Sequence, residues 1–111
     1  MAAKYMKSWG EAKPVEMIPG FFRRTLGQTG DVMLVEFRAE ADVELPDHSH
    51  PHQQVGYLVS GDMVITIDGV AYHPAPGDCW SIPGGVPHKA TFQAETVVIE
   101  CFSPPREDYV D

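Results

Sequence analysis

Residues 48–54 read HSHPHQQ, which sets three of the chain's five histidines at alternate positions and ends on two glutamines. Three imidazoles on one strand add nothing to packing that Leu or Val would not supply better, whereas neutral imidazole nitrogens are common ligands of divalent ions. In an extended strand residues two apart share a face, so His48 and His50 are expected to point at one ion. His52 would continue the row, but Pro51 interrupts ladder pairing there, which leaves His52 either a supporting partner or exposed. Gln54 then enters on the next strand. His88 follows PGGVP, a forced turn at the head of another strand, 34 residues beyond Gln54 (88 − 54). That span holds two hairpins, and a barrel closing over it would bring His88 opposite the first pair. His73, alone in AYHPAP, is read as a surface residue.

A second oddity is the terminal run TVVIECFSPPREDYV. Alternation puts Val98, Glu100 and Phe102 on one face and Val97, Ile99 and Cys101 on the other. A glutamate among apolar neighbours is costly when buried alone, so Glu100 must meet solvent, a cation or a functional cavity. Alternation by itself leaves open an edge strand with Glu100 facing water. Arg106 follows a stiff SPP corner, from which it can fold back over the mouth of a barrel. Its planar fork suits a substrate carboxylate, and a surface ion pair with Glu107 or Asp108 is the plainer alternative.

Residues like these need a rigid frame, and the remainder of the chain reads as strands. Short extended runs are expected at 21–26, 32–40, 55–60, 63–68, 70–73, 79–82, 89–92 and 96–102, with no helical apolar period sustained beyond about ten residues. In MVITID, Met63, Ile65 and Ile67 share one face. SGD at 60–62 and DG at 68–69 suit tight hairpins, while PAPGD and IPGGVP make corners that cannot lie within central strands. A hydrophobic fraction of 43 %, concentrated in alternating runs, argues for a packed β domain despite ten prolines and ten glycines. The expected fold is all-β and a single domain over 1–111. Residues 1–19 form an N-terminal arm or edge strand, and the core barrel runs from about 20 to 103. In a dimer the first ten residues would instead extend a neighbour's sheet.

Charge and composition narrow the partners. A net charge of −8 over 111 residues argues against nucleic acid and anionic membrane. It leaves room for an anionic small molecule, because a metal and a local arginine reverse the field inside a pocket. No run approaches the length of a membrane span, and MAAKYMKSWGEAKP lacks the apolar core of a secretory signal, so a cytoplasmic location is expected. Cys79 and Cys101 form neither a C-x-x-C pair nor a dense framework and are read as free thiols.

Two stretches resemble the paired motifs of the cupin family. His48, His50, Gln54 and Gly61 are similar to the first, with Gln where Glu is usual. In GDCWSIPGGVPHKATF, Gly77, Pro83, Gly85 and His88 are similar to the second, with Phe92 where Asn is usual. The resemblance implies a small conical antiparallel barrel, or jelly roll, with His48, His50, Gln54 and His88 holding one divalent metal ion. Zinc, nickel, manganese and iron all suit that ligand set. Three imidazoles and an amide leave the ion its full double charge, where a glutamate would cancel half of it. Such a site is a stronger Lewis acid, better matched to an incoming carboxylate, and leans towards non-redox work.

HPHQQVGYLVSG together with FSPPREDY further resembles the KdgF family of pectin-degradation cupins, over residues 21–109. That likeness implies metal-dependent opening of a 4,5-unsaturated uronate to its linear keto form. Phe102 and Arg106 stand at matching functional positions, and Glu100 stands where the family has Asp. Glu100 would then carry the proton, Arg106 would pair with the uronate carboxylate and Phe102 would pack against the sugar. A metal-dependent dioxygenase or other oxidoreductase, and a non-catalytic sugar-acid or metal-binding module, stay open as alternatives. A homodimer is expected, since a half-open barrel leaves a sheet edge to cover.

Overall fold

Period-two alternation decides the architecture of the chain, which a computed structural model describes over residues 4–111. The strands are β1 (Val15–Ile18), β2 (Phe21–Gln28), β3 (Met33–Ala39), β4 (Glu44–His48), β5 (Gln53–Ser60), β6 (Met63–Ile67), β7 (Val70–Tyr72), β8 (Cys79–Ile82), β9 (His88–Phe92) and β10 (Thr96–Ser103). They form two antiparallel sheets, one in the order β1-β2-β3-β10-β5-β8 and the other β4-β9-β6-β7. Every second residue of β10 is buried, namely Thr96, Val98, Glu100 and Phe102, and β3 repeats the pattern with Met33, Val35, Phe37 and Ala39. The smaller sheet closes the interior with Met63, Ile65, Ala90 and Phe92. Met33, Val35, Leu58 and Phe102 are fully buried, each contributing about 1.5–3 kcal/mol relative to exposure. The fold is therefore the all-β jelly roll expected.

Two segments go beyond the strands expected from sequence. Residues 15–18 form β1, an edge strand on the chain's own sheet, with Val15 opposite Arg23 and Glu16 opposite Phe22. Before it, Trp9 sits in a short 3-10 turn, donates its indole N–H to Glu36 and stacks on the Arg24 guanidinium, 3.5 Å from the ring centroid. Strand β4 is absent from the sequence expectation because ELPDH neither alternates nor avoids proline. It pairs with β9 only through Glu44, Leu45 and His48, with an irregularity around Pro46, which has no N–H to donate.

Two connections help to position the site. Because β4 belongs to the smaller sheet and β5 to the larger, residues 49–52 carry the chain from one sheet to the other. After β10 the chain turns back, and Tyr109 is buried against Phe37 and Phe102, with ring centroids 5.8 and 5.7 Å away. Its carbonyl accepts hydrogen bonds from Arg23 Nη1 at 2.8 Å and Thr25 Oγ1 at 2.6 Å. A buried arginine of β2 thus straps the C-terminal segment over the end of the interior.

Candidate metal centre and its cavity

The two sheets meet at the histidines. His48 closes β4, His88 opens β9, and the two are direct register partners. His88 therefore stands directly across from His48, with ring centroids 4.2 Å apart. His50 lies beyond the end of β4 and reaches the same point from the loop, its ring centroid 5.1 Å from that of His88. The expectation that His48 and His50 share one strand face is corrected accordingly. Pro51 and the crossing between sheets end the strand at His48, so loop geometry aims His50. One ring nitrogen from each of the three lies within 4.8 Å of the others.

The Pro-Gly-Gly corner clamps this loop. Gly85 donates its N–H to the His50 carbonyl at 2.8 Å. Gly84 lies so close to the Pro51 carbonyl that a Cβ there would overlap it. His52 is buried and supports the cluster from outside it. Its carbonyl faces His50 Nδ1 at 3.0 Å, and its own Nε2 stands 3.3 Å from Glu107. His73 is exposed and pairs with Asp62 at 2.6 Å, as a surface residue.

Backbone carbonyls set the tautomers. Nδ1 of His48, His50 and His88 sits 2.8, 3.0 and 2.9 Å from the carbonyl oxygens of Pro46, His52 and Val86. A carbonyl only accepts, so Nδ1 carries the proton and Nε2 keeps its lone pair. His50 Nε2, His88 Nε2 and Gln54 Oε1 are buried without a hydrogen-bond partner among the described residues. Leaving such acceptors unmet costs about 1–3 kcal/mol each, and one cation among them would satisfy all three. These residues fit a divalent metal. Burial, reinforced by the charge of Arg106 and by neighbouring imidazoles, holds His50 and His88 below the ordinary imidazole range. Both are then neutral at pH 7, as ligation requires.

Glu100 does not face water. Strand β10 is flanked on both sides, and its carboxylate points inward at 6 % exposure. Oε1 accepts from Trp80 Nε1 at 3.0 Å and Oε2 accepts from Gln54 Nε2 at 3.1 Å. Burial pushes the Glu100 carboxyl up from 4.5 to about 7, against the opposing pull of those two donors. Trp80 is the site residue that sequence reading missed. Its signal was an indole in GDCWSIPGG, a ring whose N–H needs a partner once buried.

A cavity of about 230 Å³ opens beside the histidines, with His48, Gln54, His88, Glu100, Phe102 and Arg106 on its lining. Met17 and Ile18 of β1 add an apolar wall. The space suits one small molecule rather than a polymer chain. Arg106 lies on the cavity wall and in an ion pair at once. It stands on the cavity wall 4.0 Å from the Tyr109 ring centroid, yet its Nε and Nη2 donate to Asp108 at 3.2 and 2.9 Å. Burial of Asp108 opposes ionisation, but Arg106 more than offsets it and holds this carboxylate below its usual range. Phe102 is 1 % exposed, with its ring 5.9 Å from that of His50, and forms the floor. Cys79 and Cys101 are free thiols, as expected.

The family described as the cupin domain matches residues 29–101, about two thirds of the chain. An RmlC-like cupin from Shewanella frigidimarina is 30 % identical, with 97 % of each chain covered and a TM-score of 0.92. KdgF from Halomonas sp. is 27 % identical, with 97 % of this chain and 100 % of that chain covered and a TM-score of 0.90. A salicylate 1,2-dioxygenase from Pseudaminobacter salicylatoxidans is 15 % identical with a TM-score of 0.74, covering 81 % of this chain and 28 % of that one, a likeness of fold alone. No curated protein matches the chain. Among the described residues no helix is long and apolar enough to cross a membrane.

Proposed function

The chain belongs to the cupin domain family, and from that footing we propose that it is a metal-dependent enzyme acting on a small carboxylic acid. His48, His50, Gln54 and His88 hold one divalent ion. The observation that carries this reading is the set of buried, unpartnered acceptor atoms on His50, His88 and Gln54, beside a cavity with Arg106 on its wall. When bound, the ion supplies Lewis acidity to substrate oxygens.

The reaction proposed is opening of a 4,5-unsaturated uronate monosaccharide to its linear keto form. It is supported by the likeness of HPHQQVGYLVSG and FSPPREDY to the KdgF family and by the 27 % identity to KdgF from Halomonas sp. over 97 % of this chain. The reaction is an isomerisation and needs no co-reactant. The anomeric hydroxyl loses its proton, and C1 becomes a carbonyl as its bond to the ring oxygen breaks. That oxygen stays on C5 as an enol, and C4 takes up a proton to leave a ketone at C5. Arg106 pairs with the uronate carboxylate. Glu100, on the cavity lining and with a proton affinity matched to neutral pH, moves the proton. Phe102 supports the sugar and keeps bulk water out. We place the protein in the cytoplasm as a homodimer formed on the outward face of the larger sheet, where Leu34, Val55, Tyr57 and Val59 are exposed. Sedimentation showing a monomer at micromolar concentration would remove that last element.

The direct test incubates metal-loaded protein with 4,5-unsaturated galacturonate and follows loss of the enol-ether absorbance. Wild type should outpace both a chelated control and Arg106→Ala by at least about tenfold. Equal slow decay in wild type and control would refute ring opening, and oxygen uptake with the substrate would replace it with dioxygenase chemistry.

A further inference from the structure

An amide offers oxygen on one side and NH₂ on the other, and nothing intrinsic to it decides which side faces an ion. At Gln54 the decision is made by Glu100. Gln54 Nε2 donates to Glu100 Oε2, so the buried Oε1 is the atom left for the histidines. Glu100 is itself held, because Trp80 Nε1 donates to its other oxygen. These two side chains come from strands that are not neighbours, since β5 lies between β8 and β10. Gly56 of β5 is the register partner of both Trp80 and Glu100. A Cβ at Gly56 would overlap the Trp80 indole and stand 2.6 Å from Glu100 Oε2. The missing side chain in the middle strand lets the outer two meet across it.

We propose that Trp80, Gly56 and Glu100 form a positioning device that fixes Gln54 as a metal ligand through its oxygen, and that Gln stands at 54 because Glu100 demands a donor there. A carboxylate at 54 would face a second carboxylate in contact, a pair that cannot both stay ionised cheaply. The site thus has a neutral ligand atom with a carboxyl group one hydrogen bond behind it. This rests on the reading of His48, His50, Gln54 and His88 as metal ligands, and it assigns Trp80 and Gly56 a role that reading does not contain.

The test uses the full chain stripped of metal and titrated with cobalt(II), reading affinity by chelator competition and ligand geometry by the visible spectrum. Trp80→Phe keeps an aromatic ring and removes the indole donor, while Glu100→Gln keeps the shape and replaces one carboxyl oxygen with an amide donor. Each should weaken cobalt binding by about tenfold or more and alter the spectrum while circular dichroism stays native. In a Gln54→Glu background the sign should reverse, because Glu100→Gln then supplies the donor that the new carboxylate lacks and tightens binding. If Glu100→Gln changes affinity by the same factor in both backgrounds, the charge acts only through space and the inference is wrong. Wild-type affinity and spectrum in Trp80→Phe would also overturn it while leaving the metal site intact. Absence of stoichiometric cobalt in the wild type would sink the metal reading and this inference together.

Discussion

Glu100 shows how one buried residue couples the site to pH. In the native chain it holds a proton up to about pH 7, against an ordinary value of 4.5. Between those limits the folded state binds more protons than the unfolded state, so stability falls as pH rises from about 4.5 to about 7, by as much as about 3 kcal/mol. His50 and His88, with depressed pKa values, work in the other direction. The unfolded chain binds their protons first, so stability is lost as pH falls below about 6.5. Urea denaturation of metal-free wild type and Glu100→Gln at pH 5 and pH 7.5 separates these contributions. The variant should lose the decline towards higher pH and keep the decline towards lower pH, and identical profiles would contradict the assignment. Asp108 offers a second residue-scale test, since it fills the Arg106 fork proposed to hold an anionic substrate. Asp108→Asn should lower KM for a small carboxylate severalfold while Arg106→Ala raises it. An unchanged KM in Asp108→Asn would mean that the substrate does not compete for the fork.

Among the elements, strands carry His48, Gln54, His88 and Glu100, while loops aim His50 and lock the site together. Strand β4 is irregular and β9 is short, yet the connection at 49–52 and the corner at 83–87 lock together through Gly84 and Gly85. Gly84→Ala forces a Cβ into the Pro51 carbonyl and must push the two loops apart. The expected result is a stability loss of about 1–3 kcal/mol, measured by denaturation, with metal affinity lowered about tenfold by displacement of His50. A loss of stability with unchanged affinity would show that the loop aims His50 independently of the corner.

For the molecule as a whole, the proposed metal centre draws on both sheets, with His48 and His88 from one, Gln54 from the other and His50 from the chain between them. An ion that binds only this assembled set stabilises the native state by mass action, by about 2.7 kcal/mol at a hundredfold excess over Kd. Melting followed with and without chelator should differ by roughly ten degrees for a chain of this size. Coincident melting curves would mean that the four residues are not a metal site.

Much of this was legible in residue types and their order. The alternation of β2, β3 and β10 and the inward row ending at Phe102 follow from local patterns with a period of two, the turn at Asp68–Gly69 from residues tolerant of positive φ, and the set His48, His50, Gln54 and His88 from the likeness to the cupin motifs. Strand β4 escaped notice because Pro46 and its polar neighbours break that period. HSHPHQQ, read as a strand of imidazoles, is a crossing between sheets, a fact of topology rather than of spacing. The meeting of Trp80, Gly56, Glu100 and Gln54 depends on which strands lie side by side, and no local sequence signal specifies that β5 runs between β8 and β10. Sequence thus determined which groups could do chemistry. Tertiary structure alone decided how the glutamine faces and what holds it there, because buried hydrogen bonds are settled between strands distant in the chain.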